Sequence, residues 1–250
     1  MASASRPRAT STVRRVGIVA ALPIEARALG HARPRPDGLA TLVDDALLAV
    51  SGMGAPAAAI GARALIAAGA DALVSFGLAG GLDPALVPGT ILIPREVMDA
   101  DGACLTTDAA WRARLAEELD RYRPIPHGKL LTNPRALGST TEKADTFRRT
   151  GAAAVDMESS GIAQAAVAHG LPFIVLRVIV DGASDVLPQA LADSADAGGR
   201  LRWGHLLARL AVAPADVVAL LRLAGRYAAA RRSLRAAASC GVLTSLTRTP

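Results

Sequence analysis

Short continuous apolar runs, each closed by Gly or Pro, alternate along this chain with Ala-rich or amphipathic stretches. Val16-Gly17-Ile18-Val19-Ala20-Ala21, Leu47-Leu48-Ala49-Val50, Leu73-Val74-Ser75-Phe76 and Phe173-Ile174-Val175-Leu176-Arg177-Val178-Ile179-Val180 are the runs. Apolar on both alternations and rich in β-branched residues, they predict strands covered on both faces, as in a parallel sheet. Pro88-Gly89 turns into a further short strand at Thr90–Ile93, and Leu130-Leu131 ends another. Helices are expected over 55–68 and 108–121, from about Thr141, and over 161–169, the last stopped by Gly170 and Pro172. This alternation through residue 185 predicts an α/β fold. Beyond it the pattern is helical alone. Residues 201–211 and 215–237 set Leu and Val at helical spacing, with Arg202, Arg209, Arg222 and Arg226 on other faces.

Composition narrows this. With 250 residues, 51% of them hydrophobic but only 3% aromatic, one large domain must build its core from Ala, Leu and Val, which suits helices packed closely on a sheet. We expect a disordered basic arm over 1–15, a single domain over 16–238 whose stretch 200–238 is a basic helical extension, and a flexible tail over 239–250. The net charge of +6 resolves into +4 for residues 1–15, +8 for 200–250 and −6 for the body between them. An acidic body with basic ends argues against a nucleic-acid binder. The apolar runs fall short of the roughly 20 residues of a membrane span, and residues 1–15 lack the apolar centre of a secretory signal, so a cytoplasmic protein is expected. Cys104 and Cys240 lie far apart, the four histidines are scattered, and neither set has metal-ligand spacing. No metal and no cofactor are expected.

The chemistry is read at three strand ends. Glu25 follows the first strand, Glu158 stands in Ala154-Val155-Asp156-Met157-Glu158, and Asp181 ends the last long run. Ligands of such sheets sit at the carboxyl ends of strands. Asp156 and Glu158, two apart, share a face if that segment is extended, with Met157 opposite. Gly77-Leu78-Ala79-Gly80-Gly81 reads as a glycine-rich loop that lets a backbone approach a ligand, or simply as a tight turn. A plainer account makes Glu158 a helix cap and Asp181 the start of a turn. Cleavage of a purine N-glycosidic bond needs a carboxylate on the sugar hydroxyls, an acid for the leaving base, and a base or anion site for the nucleophile.

On these residues the chain resembles the nucleoside phosphorylase and nucleosidase superfamily across most of 16–185. Val16 to Glu25, Gly77 to Leu82, Val155-Asp156-Met157-Glu158 and Arg177-Val178-Ile179-Val180-Asp181 are similar, in the same order, to motifs of the methylthioadenosine and adenosylhomocysteine nucleosidases. The resemblance implies a three-layer α/β/α nucleoside phosphorylase-like fold with a central mixed, largely parallel sheet and a C-terminal helical extension, in a protein that forms homo-oligomers. It implies that Asp181 is the general acid to the purine and that Glu158 binds the ribose hydroxyls. Asp156 joins the substrate-binding segment, Met157 packs on the sugar, Leu78, Ala79 and Gly80 line the pocket, and Glu25 orients or deprotonates the nucleophile. Two positions depart from the pattern. Leu78 and Val180 stand where those nucleosidases carry hydroxyl residues, which predicts a more apolar pocket.

A closer resemblance is to the hopanoid-associated phosphorylase branch, carried by Ser75 to Leu82, Ala154 to Ser159, Leu187-Pro188 and the Arg-rich end. It implies removal of adenine from adenosylhopane, an amphipathic nucleoside, and so peripheral contact of the basic helices with an anionic membrane on its inner face. Those helices read equally as packed on the sheet with a solvated basic face. The nucleophile stays open between water, which Glu25 favours, and phosphate as co-substrate, for which Arg27 and the N–H groups at Gly80 and Gly81 offer a site. A nucleosidase of the methylthioadenosine type is the enzymatic alternative. A non-catalytic, membrane-associated nucleoside or lipid binder is the alternative of another class.

Overall fold

The computed structural model describes residues 15–186 and 214–244. Its organising element is β5 (Ala72–Gly81), a ten-residue strand, because each of its edges does something different. One edge pairs in parallel with β11 (Phe173–Asp181) from Leu73 to Gly80. The other is divided between β1 (Val16–Ala20), parallel to its first four residues, and β10 (Ala154–Asp156), antiparallel at Gly80 and Gly81. Phe76 to Ala79 therefore have no strand partner on that edge among the described residues, and the sheet opens there.

Outward from this axis, β4 (Leu47–Val50) lies on β1, β9 (Lys129–Thr132) on β10 and β7 (Glu96–Met98) on β9, all parallel. Antiparallel pairings are short. They join β2 (Arg33–Pro34) to β3 (Ala40–Thr41), β3 to β4, β6 (Ile91–Leu92) to β11, and β8 (Cys104–Thr106) to β7. The strands expected at 16–21, 47–50 and 173–180 form with nearly those bounds. β6 falls within the short strand expected at Thr90–Ile93, whereas β2, β3, β7 and β8 were not expected, since so short a segment leaves no periodicity to read.

Strand alternation sends apolar side chains to two helical layers. Val74, Phe76, Ile174, Leu176 and Val178 meet Trp111 and Leu115 of α3 (Ala109–Glu118) and Ala230 and Leu234 of the C-terminal helix Pro214–Ala238. Leu73, Ala79, Val175 and Ile179 meet Ala62 and Leu65 of α2 (Ala55–Ala67) and Ile162 and Ala166 of α5 (Ser159–Ala168). The α2–α5 crossing is a backbone contact: a Cβ on Gly161 would lie 2.1 Å from the Ala55 carbonyl oxygen. That is how a core poor in aromatics stays dense.

The remaining helices are α1 (Pro23–Ala26) and α4 (Thr140–Thr150); Pro214–Ala238 is α6, and α7 covers Gly241–Thr244. α6 packs on β11, β5 and β6, with Ala230, Leu234 and Ala237 buried and Arg231, Arg232 and Arg235 exposed. It is thus a layer of the fold, as the plainer reading of the basic helices has it. The tail expected from 239 is corrected: α7 buries Leu243 against the same core, so the chain is packed as far as Thr244. The arm over 1–14, the helix over 201–211 and residues 245–250 lie outside the described residues.

Candidate active site

The glycines of Gly77-Leu78-Ala79-Gly80-Gly81 belong to strand β5, which corrects the expectation of a loop. None of the three has a positive φ, so turning is not what they are for. A Cβ on Gly77 would lie 2.2 Å from Arg177 Nη1 and 2.4 Å from Glu25 Oε1, and one on Gly80 would touch the Asp181 carboxylate at 3.4 Å. They clear the space that buried ionic side chains fill. The backbone at Gly80 is paired on both edges, with Val155 and with Asp181, and Gly81 pairs with Ala154, so these residues do not form the anion loop the sequence suggested.

Glu25 enters at the break in the β5 edge. It is the third residue of α1, where a glutamate folds back on the helix start. Its Oε2 accepts the N–H groups of Ala21 and Leu22, both at 2.9 Å, and its Oε1 accepts Leu78 N–H at 2.9 Å. The carboxylate so replaces the missing strand partner at Leu78. Burial pushes the Glu25 pKa up, against the pull of Arg177 and those three N–H groups.

Arg177 is the one charge in the apolar run of β11, and a charge there needs partners. Its Nε donates to Asp156 Oδ2 at 2.9 Å, Nη2 lies 2.7 Å from the same oxygen as an ion pair and donates to Ser75 Oγ at 2.9 Å, and Glu158 Oε2 lies 3.7 Å away. Nη1, beside Glu25 across Gly77, has no hydrogen-bond partner among the described residues. Asp156 is saturated: Thr132 donates to Oδ1 at 2.8 Å, and the N–H and hydroxyl of Ser159 donate at the start of α5. Its enclosed carboxylate holds Arg177 and bonds the start of α5, and the residue also stands in the wall of the cavity described below.

Glu158 occupies the N-cap position of α5 but does not cap it. Its Oε1 accepts Gly54 N–H at 3.0 Å from the turn before α2, where φ of +95° calls for glycine. Burial first, and then the neighbouring Asp156, push Glu158 up to about 7 against the pull of Arg177.

Asp181 stands across the opening, where β11 slips register after Ile179. Lys143 of α4, 1% exposed at its side chain, donates to Asp181 Oδ2, to Gly182 O at 2.8 Å and to Asp185 O at 2.9 Å. Asp185 in turn accepts Gly182 N–H at 2.9 Å and pairs with Arg226 of α6 at 2.7 Å. Burial pushes the Asp181 pKa up, opposed by Lys143.

Between these two ends lies a cavity of about 250 Å³ that Glu25, Glu158 and Asp181 all line. Met157, Leu78, Ala79 and Gly80 are in its wall, and so is Val180, which with Leu78 makes the apolar lining expected from those two departures. Arg27 is exposed on the turn after α1 and is not in the wall, contrary to the phosphate-site expectation. Sequence reading gave no role to Arg177 or Lys143. A lone charge inside a buried strand was a signal for the first. For the second, only Lys129 and Lys143 are lysines among 28 cationic residues, so a lysine is itself unusual here.

Comparison with known proteins agrees with this architecture. The Phosphorylase superfamily model matches residues 39–201, a span that holds Glu158 and Asp181 and leaves out Glu25. A 5'-methylthioadenosine/S-adenosylhomocysteine nucleosidase of Haemophilus influenzae is 34% identical over 160 residues, 55% of this chain and 69% of that protein. A futalosine hydrolase of Streptomyces coelicolor is 31% identical over 155 residues, 52% of this chain and 65% of that one. Among solved structures, futalosine hydrolase of Helicobacter pylori shares the fold at a TM-score of 0.62 and 20% identity, over 69% of this chain and 86% of its own. The same organism's methylthioadenosine nucleosidase, bound to a pyrrolidine inhibitor, matches at 0.62 and 20% over 70% and 88%. With residues 39–201, more than half its length, matched by the family model, the chain belongs to the Phosphorylase superfamily, a family of enzymes.

Proposed function

We propose that this protein hydrolyses the N-glycosidic bond of a 5′-substituted adenosine and releases adenine. The observation that carries the reading is the single cavity with Asp181 at one end and Glu25 and Glu158 at the other. As the bond breaks, the sugar becomes oxocarbenium-like and the base needs a proton. Asp181, held towards its acid form by burial, supplies that proton. Glu158 takes the ribose hydroxyls as they gain acidity, and Met157 covers the sugar. Glu25, which lines the cavity, accepts a proton from water. Water is favoured over phosphate because Glu25 stands in the wall as the base and Arg27, the expected phosphate ligand, lies outside it. The names of the two curated relatives agree with hydrolysis of a nucleoside.

For the 5′ substituent we propose the triterpenoid of adenosylhopane, on the resemblance to the hopanoid-associated branch and the apolar Leu78 and Val180. At about 250 Å³ the cavity is at the small end for ligand sites, so such a chain would extend beyond it, whereas the methylthio group of methylthioadenosine would stay within. Chromatographic measurement of free adenine from both substrates, with and without phosphate, tests the reading. We expect phosphate-independent release, faster from adenosylhopane. Release that requires phosphate overturns hydrolysis, preference for methylthioadenosine overturns the lipid substrate, and no adenine under any condition leaves the non-catalytic binder.

An amphipathic substrate would be met at a membrane. No helix among the described residues is long and apolar enough to cross one, so the contact proposed is peripheral, through exposed Arg231, Arg232 and Arg235 on α6. Reversing these three charges should abolish co-sedimentation with anionic vesicles. Undiminished binding rejects this surface.

A further inference from the structure

The acid end of the cavity contains a cation that purine protonation does not by itself require. Lys143 reaches Asp181 from α4, a helix fixed at its start by a reciprocal cap between Ser139 and Glu142. An ammonium has three N–H donors, and the three acceptors around Nζ are one oxygen of Asp181 and the carbonyls of Gly182 and Asp185. The side chain is thus saturated and buried, locked to the turn that follows the acid. Asp185 and Arg226 beside Asp181 pair with one another at 2.7 Å, and Arg135, Glu25 and Glu158 line the same cavity. Lys143 is the cation in direct contact with Asp181. It also occupies Oδ2, which leaves Oδ1 as the oxygen free to meet a base.

We propose that Lys143 is the positioning residue of the acid: it fixes which oxygen of Asp181 faces the purine and sets the pH at which Asp181 gives up its proton. The proposal rests on Asp181 being the acid, as argued above, but its first test does not depend on turnover. A carboxylate beside a cation titrates lower than the same group alone, by about 1 to 3 pH units for a close pair. Lys143→Met removes the charge, and Lys143→Arg keeps it.

The experiment is a carbon-13 NMR titration of the Asp181 carboxyl, assigned by its disappearance in Asp181→Asn. The midpoint should rise by about one pH unit or more in Lys143→Met and stay near wild type in Lys143→Arg. A midpoint that does not move in Lys143→Met overturns the proposal whether or not the protein releases adenine. Lys143→Gln, which keeps donors without charge, serves if the Met variant does not fold. Should neither fold, the Lys143 side-chain nitrogen signal of the wild type must shift at the Asp181 midpoint, and indifference there is equally fatal.

The activity arm then separates the two ideas. With adenine release as readout, the alkaline limb of the kcat profile should move up in Lys143→Met in step with the NMR midpoint. A fall in kcat of more than tenfold without movement of that limb marks a merely structural lysine and overturns the proposal. If Asp181→Asn keeps wild-type turnover, the acid reading falls instead, while the NMR result still stands on Lys143.

Discussion

The two ends of the cavity solve the same problem, a carboxylate buried in the core, by opposite means. At the end proposed for the ribose, Glu25, Asp156 and Glu158 all draw on Arg177. At the end proposed for the acid, Asp181 has Lys143, and Asp185 and Arg226 beside it pair with each other. The choice of cation follows. A guanidinium offers five N–H donors in a planar fork and can serve several acceptors at once, whereas an ammonium is a compact charge with three donors. One cation among three carboxylates leaves the ribose end short of positive charge, so burial prevails and Glu158 titrates near 7. Its protonation is open to change with pH and with ligand. The acid end is balanced and locked, which suits a group that must present one oxygen in one direction.

The largest effect is expected of Arg177→Met. Three buried carboxylates lose their common partner, and we expect a loss of about 3 to 5 kcal/mol in urea denaturation, with adenine release abolished. A loss below about 1 kcal/mol would mean that Arg177 does not organise that end. Next comes Gly77→Ala, which drives a methyl into Arg177 and Glu25 and should cost up to about 3 kcal/mol by the same measurement. An unaffected protein would show that the strand glycine is not a spacer for the charges.

A pH comparison of wild type with Glu158→Gln follows in size. The folded protein binds the Glu158 proton more tightly than the unfolded chain, with a pKa of about 7 against 4.5. The resulting stability is therefore full below the unfolded value and is lost as pH rises through about 7. Between about pH 5 and about pH 8 the wild type should lose about 2 kcal/mol relative to the variant. Parallel stability curves would place Glu158 in the ordinary carboxylate range. The smallest effect is expected of Arg27→Ala, since the residue is outside the wall: kcat/KM for adenine release should stay within about twofold. A large fall, above all one seen only with phosphate, would return Arg27 to the nucleophile site.

The framework was legible in the sequence because buried strands and Ala-rich helices advertise themselves by run length and punctuation. β4 and β11, and α2, were readable to within a residue or two. The glycine cluster was misread for a physical reason. Glycine next to a strand signals a loop when only backbone freedom is considered, and here the constraint came from Arg177 and Glu25, distant in sequence. The partners of Asp156 were illegible in the same way. Asp156 lines the cavity, but its carboxylate looks unengaged until Thr132 and Ser159 are seen to bond it.

By itself, then, the sequence determined the kind of fold and located Glu25, Glu158 and Asp181 at strand ends, because hydrophobic periodicity and strand polarity are local properties. Only the tertiary structure decided which cation each carboxylate meets. Arg177 reaches Asp156 and Glu158 from β11 across the intervening strand β5, and Lys143 reaches Asp181 from a helix 38 residues earlier in the chain. Charge pairing in a core is settled by packing across elements, and no spacing along the chain records it.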